Sequence, residues 1–105
     1  MTDGDYKTLS DSFFARLESA LDDVADDLDY EIGSGGVLEI EFENGSKMVV
    51  NRQSATHEIW VAARSGGFHY RWDGDAWRDT RGGEEIFAAL TRLASDQAGR
   101  LVMLG

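Results

Sequence analysis

The chain has no cysteine and no proline among its 105 residues. Without cysteine it forms no disulfide, binds no metal through thiolate and has no thiol nucleophile or redox centre. The missing proline carries no functional lead. Long apolar runs are absent too, so no stretch reads as a membrane span. The acidic N-terminus lacks the basic-then-apolar layout of a secretion signal, and a cytoplasmic protein is expected. Histidine is scarce: His57 and His69 fall on what read as separate strands, which argues against a zinc site.

What the chain has in excess is acid, and at one end. Residues 1–43 hold thirteen of the twenty carboxylates against Lys7 and Arg16, whereas residues 44–105 carry seven acids and eight Lys or Arg. The formal charge of −10 thus belongs to the N-terminal part. A charge serving solubility would be spread evenly. This polarity points to a surface for cations or a basic partner, and it repels nucleic acid phosphates.

The length fits one small domain with a single core, residues 1–105. Thr2 with Asp5 three positions on predicts a capping box that opens a helix. Tyr6, Leu9, Phe13, Leu17, Ala20 and Val24 recur at helical spacing, and Asp11, Glu18 and Asp22 fall on the side facing away from that stripe. The helix is expected to end within Asp22–Asp29, where acids crowd against the negative end of the macrodipole. After Gly33–Gly36 the period becomes two, with Leu38, Ile40 and Phe42 alternating with glutamates. Asn44-Gly45 signals a hairpin. A strand over Lys47–Gln53 follows, with Met48 and Val50 inward and Val49, Asn51 and Gln53 outward. Further strands are expected over Glu58–Arg64, Phe68–Trp72 and Ala76–Asp79, and a last helix over Glu84–Ala98. The apolar tail Leu101–Leu104 should pack back onto the body. Terminal amphipathic helices around a meander predict an α+β two-layer sandwich, both helices on one face of a five- to six-stranded antiparallel sheet.

Several motifs fail on their own geometry. Asp73-Gly74-Asp75 with Glu84 mimics the outer anchors of a calcium loop, but Arg78 stands where that loop needs glycine. Gly33–Gly36 does not complete a dinucleotide fingerprint, because Leu38 occupies the later glycine position. No nucleophile–base pair is found, so the chain does not read as an enzyme.

Three features remain. Glu18, Asp22, Asp23, Asp26, Asp27 and Asp29 form a run of acids without a base among them. Their hard oxygens suit iron, manganese, calcium or magnesium, and helical acids four apart can share an ion. A solvated helix face is the other reading of such a run. Trp60 points to the sheet face opposite Ile59 and Val61, as an interface residue would, although a one-residue register shift would make it core. Asn51 and Gln53 share one strand face and are candidates to lie beside Trp60.

The stretch Gly35-Gly36-Val37-Leu38-Glu39-Ile40-Glu41-Phe42-Glu43-Asn44-Gly45-Ser46-Lys47-Met48-Val49-Val50-Asn51-Arg52-Gln53 closely resembles the central hairpin of frataxins, the bacterial CyaY type above all. His57-Glu58-Ile59-Trp60-Val61-Ala62 and Gly66-Gly67-Phe68-His69-Tyr70 continue in that family's order. The resemblance implies a frataxin-like sandwich and a role in iron–sulfur cluster assembly. It implies weakly bound ferrous or ferric iron on a ridge, which here comprises Asp11, Glu18, Asp22, Asp23, Asp26, Asp27, Asp29 and Glu31. It also implies docking on the cysteine desulfurase and the cluster scaffold protein, with Trp60, Asn51 and Gln53 as sheet-face contacts and Asp22 and Asp23 as charged ones. Ser19 and Lys7 stand where some relatives carry a second acid and a histidine, which weakens any ligand set that relies on those positions. The expected role is an iron-binding regulator. An iron-independent adaptor and an iron chaperone or donor are the alternatives. A monomer is expected, with an iron-dependent oligomer as the other state, and neither nucleic acid nor membrane as partner.

Overall fold

The computed structural model describes all residues, 1–105. Helix α1 spans Asp3–Asp23 and begins with the reciprocal Thr2–Asp5 capping box. It ends without a glycine stop or a basic residue in its last turn. Both helix termini therefore follow the sequence reading, but the buried face does not sit where the stripe places it. Ser10, Phe14 and Leu21 are buried alongside Tyr6, Phe13, Leu17 and Ala20, whereas Leu9 and Val24 are only partly covered. At ~100° per residue this turns the buried face toward Asp11, Glu18 and Asp22. These acids flank the helix–sheet seam instead of facing away from it.

The six strands of the sheet fall within the expected five to six, and the first of them is the one the alternation does not mark. Strand β1, Leu28–Ile32, lies inside and just after the acidic run and pairs with β2, Leu38–Phe42. A loop over residues 43–46, with Gly45 at φ 82°, then turns β2 into β3, Lys47–Gln53. Asn44 fixes this loop by accepting from Ser46 N and donating to the carbonyl of Gln97. Strands β4 (Glu58–Ala63), β5 (Gly66–Trp72) and β6 (Trp77–Asp79) complete a meander, every neighbour antiparallel, in the order β1-β2-β3-β4-β5-β6. Helix α2, Ile86–Ala98, is capped by the Glu85 side chain on Phe87 N and Ala88 N and stopped by Gly99 at φ 74°.

Both helices cover one sheet face. The core joins Phe13, Leu17 and Leu21 of α1 and Ile86, Leu90 and Leu93 of α2 to Leu38, Ile40, Met48, Val50, Ile59, Val61 and Tyr70 of the sheet. Phe13 and Phe87 bring the helices into contact, ring centroids 5.2 Å apart. Val102 and Leu104 pack back against this core while Leu101 and Met103 remain exposed. The opposite sheet face carries Glu39, Glu41, Lys47, Val49, Asn51, Gln53, Glu58, Trp60, His69 and Arg71, since strand side chains alternate. One expectation fails here: His57 is not on a strand but in a left-handed turn, φ 54°, just before β4.

Candidate functional site

Two surfaces gather the candidate residues: the seam between the end of α1 and β1, and the open sheet face. At this end of the molecule, Glu18, Asp22 and Asp23 come from the last two turns of α1, Asp26 and Asp27 from the turn after it, and Asp29 and Glu31 from β1. Asp29 and Glu31 face the open side of the sheet, and Asp23 lies toward the C-terminal tail beside Met103 and Gly105. Their environments differ. Asp11 lies between two cations, Lys7 Nζ at 2.7 Å and Arg52 Nη1 at 2.8 Å. These hydrogen bonds, Lys7 first, hold its carboxyl below the ordinary range. Asp27 is paired with Arg100 at 2.7 Å, and the same guanidinium reaches Glu43 at 3.3 Å. Asp22 accepts from the Tyr30 phenol at 2.7 Å, which pushes Tyr30 up to about 12. No cationic side chain pairs with Glu18, Asp22, Asp23, Asp26, Asp29 or Glu31.

The pairing of β1 with β2 adds acids the ridge did not include. Asp29 stands opposite Glu41 and Glu31 opposite Glu39, like charges across a ladder, which is unfavourable unless offset. Lys47 on β3 supplies the offset, 3.0 Å from Glu39 and 4.0 Å from Glu41. Asp29, Tyr30, Glu31, Glu39, Glu41 and Lys47 line a basin of about 200 Å³. Hard oxygens in this number suit a divalent or ferric ion. Yet no three His, Asp or Glu side chains are drawn together as a ligand group. Any ion bound here would recruit carboxylates from separate elements.

On the open face, Trp60 stands opposite Asn51 on one side and His69 on the other, and Gln53 stands opposite Glu58. The alternation that places Trp60 away from the core holds. It is not a free aromatic, however. Its ring stacks on His69, centroids 4.3 Å apart and planes within 7°. Its indole N–H donates to Glu58 Oε1 at 2.8 Å.

Glu58 was not among the candidates. It is 5% exposed and accepts also from Thr56 at 3.1 Å and Arg71 at 2.6 Å. Burial pushes its carboxyl up, but the bonds from Trp60, Arg71 and Thr56 outweigh that and hold it below the ordinary value. The available signal was its spacing: two residues before Trp60 on one strand, it had to share Trp60's face. That a hydrogen-bonded arginine would close over it was not readable.

The rejected motifs are accounted for. Asp73 accepts from Asp75 N and Ala76 N and pairs with Arg78, the role of a turn residue. His57 stacks on Tyr6 at 5.1 Å and lies 2.7 Å from Asp3, whereas His69 belongs to the Trp60 stack.

Residues 1–100 match the family model of the frataxin-like domain. An iron–sulfur cluster assembly protein CyaY of Dechloromonas aromatica (strain RCB) is 52% identical over 104 residues, covering 99% of each chain. The CyaY of Paraburkholderia phymatum is 48% identical over 102 residues, 97% of this chain and 96% of its own. Among solved structures, the frataxin of Psychromonas ingrahamii, of the CyaY protein family, superposes with a TM-score of 0.88 at 30% identity, over 100% of this chain and 99% of its own. The trimeric frataxin of Saccharomyces cerevisiae shares the fold, with a TM-score of 0.69 at 24% identity over 86% of this chain and 78% of its own. No helix of the chain is long and apolar enough to cross a membrane.

Proposed function

The chain belongs to the frataxin family of iron–sulfur cluster assembly proteins, and we propose that it acts there as an iron-binding regulator that docks on the cysteine desulfurase. The ridge of Glu18, Asp22, Asp23, Asp26, Asp29 and Glu31 serves both iron and a basic partner surface. Trp60, Asn51 and Gln53 supply a short-range contact on the open sheet face to the desulfurase–scaffold complex. The observation that carries this reading is the uneven neutralisation of the acids. Asp11 and Asp27 hold intramolecular cations, while Glu18, Asp22, Asp23, Asp26, Asp29 and Glu31, spread over the end of α1, the turn after it and β1, have no cationic partner. A site built for stability would pair its carboxylates; this one leaves like charges adjacent.

Iron enters as cargo or effector, ferrous or ferric, weakly held. Asp11 contributes least among the eight ridge residues because displacing two cations opposes its coordination. No catalytic group is assigned, and the protein acts by contact, as a monomer of the cytoplasm, with association under iron load as the alternative state.

A second reading is favoured by one observation: no three ligating side chains converge. In it the acids are a docking surface alone and the protein is an iron-independent adaptor; delivery of iron as a chaperone or donor would need a more defined site. Cluster-assembly kinetics with the cognate desulfurase and scaffold, at several iron levels, separate these. The regulator reading requires that adding the protein changes the assembly rate and that iron changes its affinity for the desulfurase. An iron-independent effect leaves the adaptor, and no effect on assembly overturns both.

A further inference from the structure

Four side chains on the open face form a two-by-two block. Glu58 and Trp60 are two apart on β4, and directly across on β5 stand Arg71 and His69. Each constraint on the Trp60 ring comes from a different direction. The hydrogen bond to Glu58 acts in the indole plane at 2.8 Å, and the His69 imidazole covers the ring from above at 4.3 Å. An indole on an open sheet face otherwise samples several rotamers. Glu58 is itself anchored: 5% exposed, it accepts from Thr56 in the preceding turn and from Arg71 on the next strand.

A carboxylate this buried is costly unless its hydrogen bonds are made, and here three donors make them. The same bonds exhaust the indole N–H, the only donor Trp60 has. The ring therefore offers apolar surface and no free donor.

We propose that Glu58 is a positioning residue for docking: its carboxylate locks Trp60 against His69 and so presents a preorganised aromatic surface that accepts an aliphatic or cationic partner side chain, not a hydrogen-bond acceptor. This inference rests on the reading that Trp60 contacts the desulfurase–scaffold complex. Fixing one rotamer before encounter removes an ordering cost from binding, worth roughly three- to tenfold in affinity for a single aromatic side chain. Arg71 does not touch the ring through a hydrogen bond and acts on it only through Glu58.

The test uses the full chain and has a readout that needs no partner. Indole N–H exchange and the ring–backbone contacts of Trp60 are followed by NMR in Glu58→Leu, Glu58→Gln and Arg71→Gln, each shown folded by circular dichroism. The expected result is indole exchange faster by about tenfold or more in Glu58→Leu, because the N–H loses a charged acceptor. Glu58→Gln, which keeps an acceptor, restores most of the protection, and Arg71→Gln, which leaves Thr56 on Glu58, speeds exchange less than Glu58→Leu does. Affinity for the desulfurase–scaffold complex should fall roughly three- to tenfold in Glu58→Leu. It should fall no further when Glu58→Leu is added to Trp60→Ala, because Glu58 acts through the ring. Unchanged indole exchange in Glu58→Leu overturns the proposal, as does an additive loss in the double variant. If Trp60→Ala itself binds normally, the docking reading has failed and the exchange data alone decide whether Glu58 positions the ring.

Discussion

Arg52 Nη1 stands 2.8 Å from Asp11 Oδ1, across the gap from β3 to α1, while its guanidinium lies over the Phe14 ring at 4.6 Å. With Lys7 on the other oxygen, Asp11 is a structural anion. Asp11→Asn should therefore leave iron or manganese affinity within about twofold of the parent, measured by titration, yet lower the melting temperature. The pH dependence has the matching sign. A carboxyl held below its ordinary value stabilises the fold above about pH 4, and that contribution is lost as pH falls through the depressed value. A clear loss of metal affinity in Asp11→Asn would return it to the ridge.

Metal binding should concentrate at the seam. Manganese or ferrous iron should broaden backbone NMR signals over residues 18–31 and spare Ile86–Ala98, because the acids without a cationic partner are densest there. The β2 residues Glu39 and Glu41 should respond too, since they face Asp29 and Glu31 across the ladder. Broadening centred on His57 or His69 would defeat the assignment.

The end of α1 should be a site of stored instability. Asp23 is its last residue, with no base in the final turn and no hydrogen-bond donor on its side chain. Asp23→Lys should raise stability by about 0.3–1 kcal/mol at low salt, the ordinary scale of a charge against a helix terminus. The same change at Asp22 should give less, because it removes the acceptor of the Tyr30 phenol. Salt should raise the melting temperature of the parent and less so that of Asp23→Lys. A lower melting temperature for Asp23→Lys would reveal a stabilising bond to Asp23.

All three tyrosines should resist ionisation. Burial raises Tyr6 and Tyr70, and the bond to Asp22 raises Tyr30 to about 12, all above the ordinary 10.0. The folded chain therefore keeps protons that the unfolded chain releases above pH 10. This contribution is full below pH 10 and is lost as pH rises toward the folded values. Absorbance titration should show little tyrosinate at pH 10, with later ionisation accompanying the loss of circular dichroism. An early one-tyrosine step with the fold intact would contradict this.

The elements legible in the sequence are those whose period and caps agree: α1 through Thr2 and Asp5, β2 and β3 through alternation, and α2 through its apolar stripe. Strand β1 was hidden because Asp29 and Glu31, its outward residues, continue the acidic run of the preceding turn. Like-charge pairs with Glu41 and Glu39 are also not what a stable ladder selects. The ridge was legible as composition, but not its partition into free and paired acids. That depends on Arg52 and Arg100, 41 and 73 positions from their partners Asp11 and Asp27 in the sequence. Trp60 was placed on the correct face by period alone, yet its lock on Glu58 and His69 requires the register of β4 with β5.

Docking should use two kinetically separable contacts, since the seam and the open face carry different forces. The unpaired acids act at a distance on a basic surface, so charge reversal at Asp22 and Asp23 should slow association with the desulfurase and flatten its salt dependence. Trp60 acts only after contact, by burying its ring. Trp60→Ala should therefore mainly speed dissociation, by about 2 kcal/mol if the ring is a hot spot. Trp60 packs on His69 outside the helix-covered core, so this variant should keep its circular dichroism and separate lost binding from lost folding. Stopped-flow association and dissociation across a salt series measure both contacts at once. Normal binding by a folded Trp60→Ala would remove the open face from the interface. Unchanged association after reversal of Asp22 and Asp23 at low salt would leave the acidic seam to iron alone.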